Sequence, residues 1–212
     1  MTVISATKRF LETSRGQVLT LLRRGARTVE ELASALGLTD NAVRGHLATL
    51  ERDGLVRQSG VRRGPGAGKP ATVFEVNPDA EPLLSEAYAP VLVALLDELA
   101  ERLPGDERDA ILRAVGRRLA AEAGGQARGD LEARLRAAIA LLGALGGDAS
   151  VEVEDGVLTI RGCGCPLSAA TGRRAEACAA VETLLGEVVG APVRERCDRG
   201  ERPRCRFEVA VA

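Results

Sequence analysis

Five cysteines, Cys163, Cys165, Cys178, Cys197 and Cys205, are the residues of this 212-residue chain best equipped for chemistry. The 162 residues before them contain none. A thiolate is a soft metal ligand and a nucleophile, so five thiols in one short segment point to a metal or redox centre. The intervals between them are one, twelve, eighteen and seven residues. No C-x2-C pair occurs, which argues against a zinc ribbon and against a thioredoxin-type site. The spacing also departs from the common ferredoxin runs. Arg173, Arg174, Arg196, Arg199, Arg202 and Arg204 surround the thiols in sequence. Positive charge of that kind lowers thiol pKa values and stabilises an anionic thiolate complex. Any one buried cysteine is ordinarily a small hydrophobe; five after a long stretch of none are not explained that way.

The elements that must position these thiols form a small α+β unit over residues 148–212. SVEVEDGVLTIRG reads as two strands about the turn Asp155-Gly156, a strong hairpin signal. Cys163 and Cys165 follow the second strand. RRAEACAAVETLLGEVVG reads as a helix with Cys178 near its start, where the dipole favours a thiolate. APVRERC and RCRFEVAVA read as closing strands, with Cys197 and Cys205 flanking their loop. The helix stripe Ala179, Val181, Leu184, Leu185 and Val188 is core.

The first third has a different character. TSRGQVLTLLRRG carries an apolar helical stripe ended by Gly25. Thr28 with Glu31 three residues on is a capping box opening VEELASALGL. Thr39 caps DNAVRGHLATLERDG, with Ala42, Val43, Leu47 and Leu50 as its buried stripe. Two short helices about a glycine turn are a helix-turn-helix. The strands LVRQSGVRR and TVFEVNP, joined by the loop GPGAGKPA, add a wing. Residues 1–78 therefore read as a winged helix-turn-helix DNA-binding domain. Thr39, Asn41, Arg44 and His46 fall on the second helix, where Asn pairs with adenine and Arg with guanine. Arg62, Arg63 and Lys69 of the wing would meet phosphates or the minor groove.

Residues 79–147 read as a helical dimerisation region: one long helix over 79–103, with Pro90 kinking or splitting it, then helices over 106–123 and 129–143. The leucines of 79–103 exceed what one small domain covers, which points to a homodimer. Net charge is −1 overall, but +5 over residues 1–77 and −6 over the rest. A basic first third suits a polyanion partner. No apolar run approaches the roughly 18–20 residues of a membrane span, and MTVISATKRF lacks a signal-peptide core. A cytoplasmic protein is expected, with reduced thiols. No Ser/His/Asp set or phosphate loop is present, and the only histidine lies on the recognition helix, so no enzyme and no small-molecule substrate are expected.

GKPATVFEV is similar to the G-R-P-x-x-x-Y-x-L wing of bacterial winged-helix repressors, with Lys69 for Arg and Phe74 for Tyr. Cys165-Pro166-Leu167, Cys178, Glu182, Leu185-Gly186, Cys197, Gly200, Cys205, Phe207 and Val209 together resemble the C-terminal sensor of the SufR-type repressors. That resemblance implies a homodimer holding a [4Fe–4S] or [2Fe–2S] cluster in each subunit, with occupancy setting the affinity for a double-stranded DNA operator. Carried over by position, the metal ligands are Cys165, Cys178 and Cys205, with Cys197 as fourth ligand or close neighbour. Glu182 or an exogenous group is the non-cysteine alternative, and Cys163 has no counterpart. The alternatives are a zinc- or thiol-based redox repressor, a relative that has lost its cluster, a cluster-carrier enzyme fused to a DNA-binding module, and a protein-interaction module.

Overall fold

The computed structural model describes residues 6–63, 70–154, 156–199 and 204–210. Lys69, Asp155, Gly200 and Arg202, named above, lie outside them. The chain divides into two compact units, Met1–Glu86 and Ala87–Ala212.

The first unit opens with α1 (Ala6–Glu12) and α2 (Ser14–Arg23). Gly16 permits their close approach, because a Cβ there would lie 2.1 Å from the Phe10 carbonyl oxygen. Strand β1 (Arg27–Thr28) leads into α3 (Val29–Leu36). Thr28 and Glu31 form a complete capping box, and Gly37 closes the helix at φ 65°. Helix α4 (Asp40–Arg52) follows, with the Thr39 hydroxyl accepting the N–H of Ala42. Strands β2 (Val56–Arg62) and β3 (Ala71–Val76) pair antiparallel with a bulge between Gln58 and Gly60, and β1 adds to β3. Val18, Leu19, Leu32, Val43, Leu47 and Leu50 fill the core. Burying each is worth about 1.5–3 kcal/mol.

The single helix expected over 79–103 is not formed. Asn77 caps a 3-10 turn over Pro78–Leu84, and α5 runs only from Tyr88 to Arg102. The break falls at residues 85–87, ahead of Pro90. Pro90 sits in the first turn of α5, where its missing N–H costs nothing.

The second unit continues with α6 (Gly105–Glu122) and α7 (Leu131–Ala144). Strands β4 (Ala149–Glu154), β5 (Val157–Gly162), β6 (Val193–Glu195) and β7 (Arg206–Val209) form an antiparallel sheet in the order β4-β5-β7-β6. Between β5 and β6 come α8 (Ser168–Thr171), a 3-10 turn over Ala175–Ala177, and α9 (Cys178–Val189). Ala120, Leu135 and Leu142 share one core with Ile160, Leu184 and Phe207. Helices α6 and α7 are therefore a wall of the cysteine-bearing domain, and not a region apart from it. At Gly116 of α6 a Cβ would lie 2.3 Å from the Ala180 carbonyl oxygen of α9, so the two backbones pack without an intervening side chain.

Candidate metal centre and nucleic-acid interface

Strand alternation builds the thiol site. In β6 and beyond it, Val193, Glu195 and Cys197 project to one side; in β7, Cys205, Phe207 and Val209 do likewise. Both rows face α9, whose first residue is Cys178. An isolated bridge between Asp198 and Arg204 ties the two strands just past Cys197 and Cys205. Cys178 and Cys205 are buried, Cys165 and Cys197 half-buried, and all are free thiols.

The Sγ atoms of Cys178 and Cys197 and a carboxylate oxygen of Glu195 lie within 4.8 Å of one another. The Cys197 sulfur accepts the N–H of Arg206 at 3.3 Å and lies 3.7 Å from the Arg206 carbonyl oxygen, with Cys205 buried in the core beside it. The bond to Cys197, together with burial, holds the Cys178 thiol far above its ordinary pKa. For Cys197 the bond from Cys178 acts downward. The bond with Cys205 and burial outweigh it, and the thiol is pushed up to about 12. Burial opposes charge on Glu195, yet the Cys197 N–H and Arg199 win and hold its carboxyl below the usual range. Arg199 Nη2 donates to Glu195 Oε2 at 2.6 Å.

Cys165 stands outside this donor group. Its sulfur is 3.6 Å from the Thr171 hydroxyl, at the edge of the same core. Cys163 is exposed, with its N–H on the Asp148 carbonyl. Glu182, the non-cysteine ligand considered from sequence, is engaged elsewhere. One oxygen accepts from Arg113 Nη1 at 2.9 Å and the other from the backbone N–H of Glu195 at 2.7 Å. The carboxylate beside the thiols is Glu195, which the sequence reading missed. Its signal was present in V-R-E-R-C, where alternation puts Glu195 on the face of Cys197.

The donor set fits a soft metal. Zinc with Zn–S bonds of about 2.3 Å places tetrahedral ligands about 3.8 Å apart, inside the observed span. An iron–sulfur cluster has thiolate-rich ligation but interposes several ions between its thiolates, so it requires them to part.

In the first unit, Asn41 and Arg44 are exposed on α4 and His46 is half-buried. The Thr39 hydroxyl is spent on the helix cap, 3.3 Å from the Ala42 nitrogen. Arg62 is not a free wing cation: its Nη1 is 2.5 Å from Glu31 Oε1, and its Nη2 donates to the Ala26 carbonyl. The other Glu31 oxygen accepts the Thr28 N–H at 2.8 Å, the main reason its carboxyl is held low. Arg63 is exposed.

Residues 13–58 match the family profile described as bacterial regulatory protein, arsR family. Over this segment the chain is similar to the helix-turn-helix of that family. The match runs from the cap of α2 into β2 and so contains the whole arsR-family helix pair. Regulators of the arsR family are DNA-binding transcription factors. No curated protein matches the chain. Two structures of a Lactococcus lactis ZitR double mutant are similar to it, each at 19% identity and TM-score 0.30. The first, in apo form, covers 49% of this chain and 76% of its own; the second covers 46% and 66%. At that score the likeness says nothing about this chain's site. No helix among the described residues is long and apolar enough to cross a membrane.

Proposed function

We propose that the chain is a dimeric, cytoplasmic transcriptional repressor whose operator affinity is set by a soft-metal centre in its second unit. The observation that carries this is the convergence of Cys178, Cys197 and Glu195, with Cys205 buried in the same core, in a chain whose first unit is similar to the arsR-family helix-turn-helix. Cys165, at the edge of the same core, would be a further ligand if drawn inward. A soft metal held by Cys178, Cys197 and Glu195 would neutralise thiolate charge and tie the start of α9 to the end of β6.

The cysteine and wing patterns favour an iron–sulfur cluster, which makes the protein a sensor of iron–sulfur or oxidative status. A second reading, a single zinc ion, is favoured by the 4.8 Å donor span. The homodimer is supported by apolar side chains left exposed in stripes: Tyr88, Val91 and Leu95 on α5, and Ile111, Val115 and Leu119 on α6.

Anaerobic purification with visible absorption and iron, sulfide and zinc analysis on one sample tests the centre. Broad visible absorbance with matched iron and sulfide supports the cluster. A colourless protein with stoichiometric zinc supports the second reading. A metal-free protein that takes up neither on reconstitution refutes both.

A further inference from the structure

Cys165 and Cys178 bracket one short segment, which holds α8, Arg173, Arg174 and the 3-10 turn Ala175–Ala177. Helix α5 packs on this segment. Leu96 is buried with Ala170 and Ala177, and Val93 and Ala179 pack beside them. One residue on, the Asp97 carboxylate takes both arginines. Arg174 Nε donates to Oδ1 at 2.7 Å, and Arg173 Nη2 lies 3.1 Å from Oδ2. The Asp97 and Arg174 side chains are only 23% and 30% exposed, so this pair is partly shielded from the solvent that weakens surface pairs.

The two faces of α5 do different things. Val93, Leu96 and Asp97 grip the segment between the cysteines. Tyr88, Val91 and Leu95 lie on the other side, exposed. Helix α5 is also the first element past the Glu86–Ala87 division, so the chain runs directly from the helix-turn-helix unit into it.

We infer that Asp97 is a positioning residue that couples the thiol centre to α5, and through α5 to the dimer contact and DNA affinity. This rests on the reading of the cysteines as a metal centre. A ligand bound at Cys178 would pull on the segment that ends there. Asp97 and Leu96 hold α5 to that segment, so α5 moves with it. A change in how two α5 helices meet passes along the chain to the paired recognition helices, whose spacing sets affinity for a two-fold operator. The requirement for such a link is an element that both sites bias. Here that element is α5, and Asp97 is its attachment.

The test uses full-length wild type, Asp97→Asn and Asp97→Glu. Each is prepared metal-free, loaded with Zn2+, and reconstituted anaerobically with ferrous iron and sulfide. Three quantities are read: metal bound, affinity for a duplex selected by the wild type from a random pool, and hydrogen exchange of residues 88–102 and 168–177. The wild type should change its duplex affinity about tenfold or more on loading. Asp97→Asn should bind the same metal, respond by less than about threefold, and lose the loading-dependent exchange change in 88–102 while keeping it in 168–177. Asp97→Glu should restore the response. An Asp97→Asn protein with the full wild-type response overturns the inference. Should that variant not fold, Arg174→Gln removes the shielded partner, and an undiminished response there overturns it equally. A wild type that binds metal without changing its DNA affinity refutes the underlying regulatory reading, and the inference falls with it.

Discussion

The sulfurs of Cys178 and Cys197 lie within 4.8 Å of each other although eighteen residues separate them in sequence, and a carboxylate oxygen of Glu195 lies within the same span. A helix start and a strand end thus bring two thiols and a carboxylate together. The arrangement is held by α9 on one side and by the paired ends of β6 and β7 on the other.

The first expectation concerns pH. The Cys178 and Cys197 thiols titrate above their ordinary value in the folded chain, the latter near 12. The unfolded chain therefore releases these protons first as pH rises. Stability of the metal-free protein is unaffected by these groups below the ordinary thiol pKa of about 8.5, and falls as pH climbs from there toward the folded value. Metal uptake must displace the same protons, so affinity rises with pH and binding releases protons. Urea denaturation of the metal-free protein at about pH 7.5 and 10 checks the first sign. Calorimetric metal titration in buffers of different ionisation enthalpy checks the second.

Single substitutions should separate ligands from bystanders. Cys178→Ser and Cys197→Ser should lose metal retention, and Cys163→Ser should keep it, because Cys163 stands exposed outside the donor group. Glu182→Gln should weaken metal affinity by about 10–100-fold, since Glu182 holds the backbone N–H of Glu195 in place and ties it to Arg113 without touching the donor group. Metal content after dialysis against a graded chelator reads all four.

Gly116→Ala should be strongly destabilising. The added Cβ would stand 2.3 Å from the Ala180 carbonyl oxygen and 2.8 Å from Thr183 Cβ, so α6 and α9 must separate. Overpacking of this kind costs about 1–3 kcal/mol and more where backbone is the obstacle. Denaturant midpoints of the two proteins measure it; equal midpoints would show that the helices pack otherwise.

On the DNA side, Arg44→Ala should cost about 1–3 kcal/mol on the selected duplex and relax its sequence preference. Arg63→Ala should weaken all duplexes alike and reduce the salt slope by about 1. Thr39→Ala should act through stability, by about 1 kcal/mol, because the hydroxyl caps α4. Arg62→Ala should also act largely through the Glu31 contact. Affinity against salt concentration, beside a melting curve for each variant, distinguishes these roles.

What the sequence made legible was local. Thr28 with Glu31 and Thr39 with Ala42 announce helix starts within a single turn, and the structure forms both caps. Alternation and turn residues likewise placed the β4–β5 pair. Long-range relationships were not legible. Nothing local to Glu195 says that its carboxylate faces Cys178, because that neighbour arrives from α9. Nothing local to Ala120 or Leu142 says that they pack with Ile160 and Phe207. The continuous helix over 79–103 failed for a related reason. Its apolar content fits a helix throughout, but Asn77, Pro78 and Pro82 set up a 3-10 turn that ends at Ser85. Strand β1, two residues long, exists only through its pairing with Phe74 and Val73.

The central claim is that one chain couples a thiol-held metal to DNA. The measurement that tests it most directly is fluorescence anisotropy of a duplex selected from a random pool, titrated with metal-free and metal-loaded full-length protein at fixed salt. The account predicts affinities differing by about tenfold or more between the two forms, with the difference abolished by Cys178→Ser. Equal affinities for loaded and metal-free protein would contradict it.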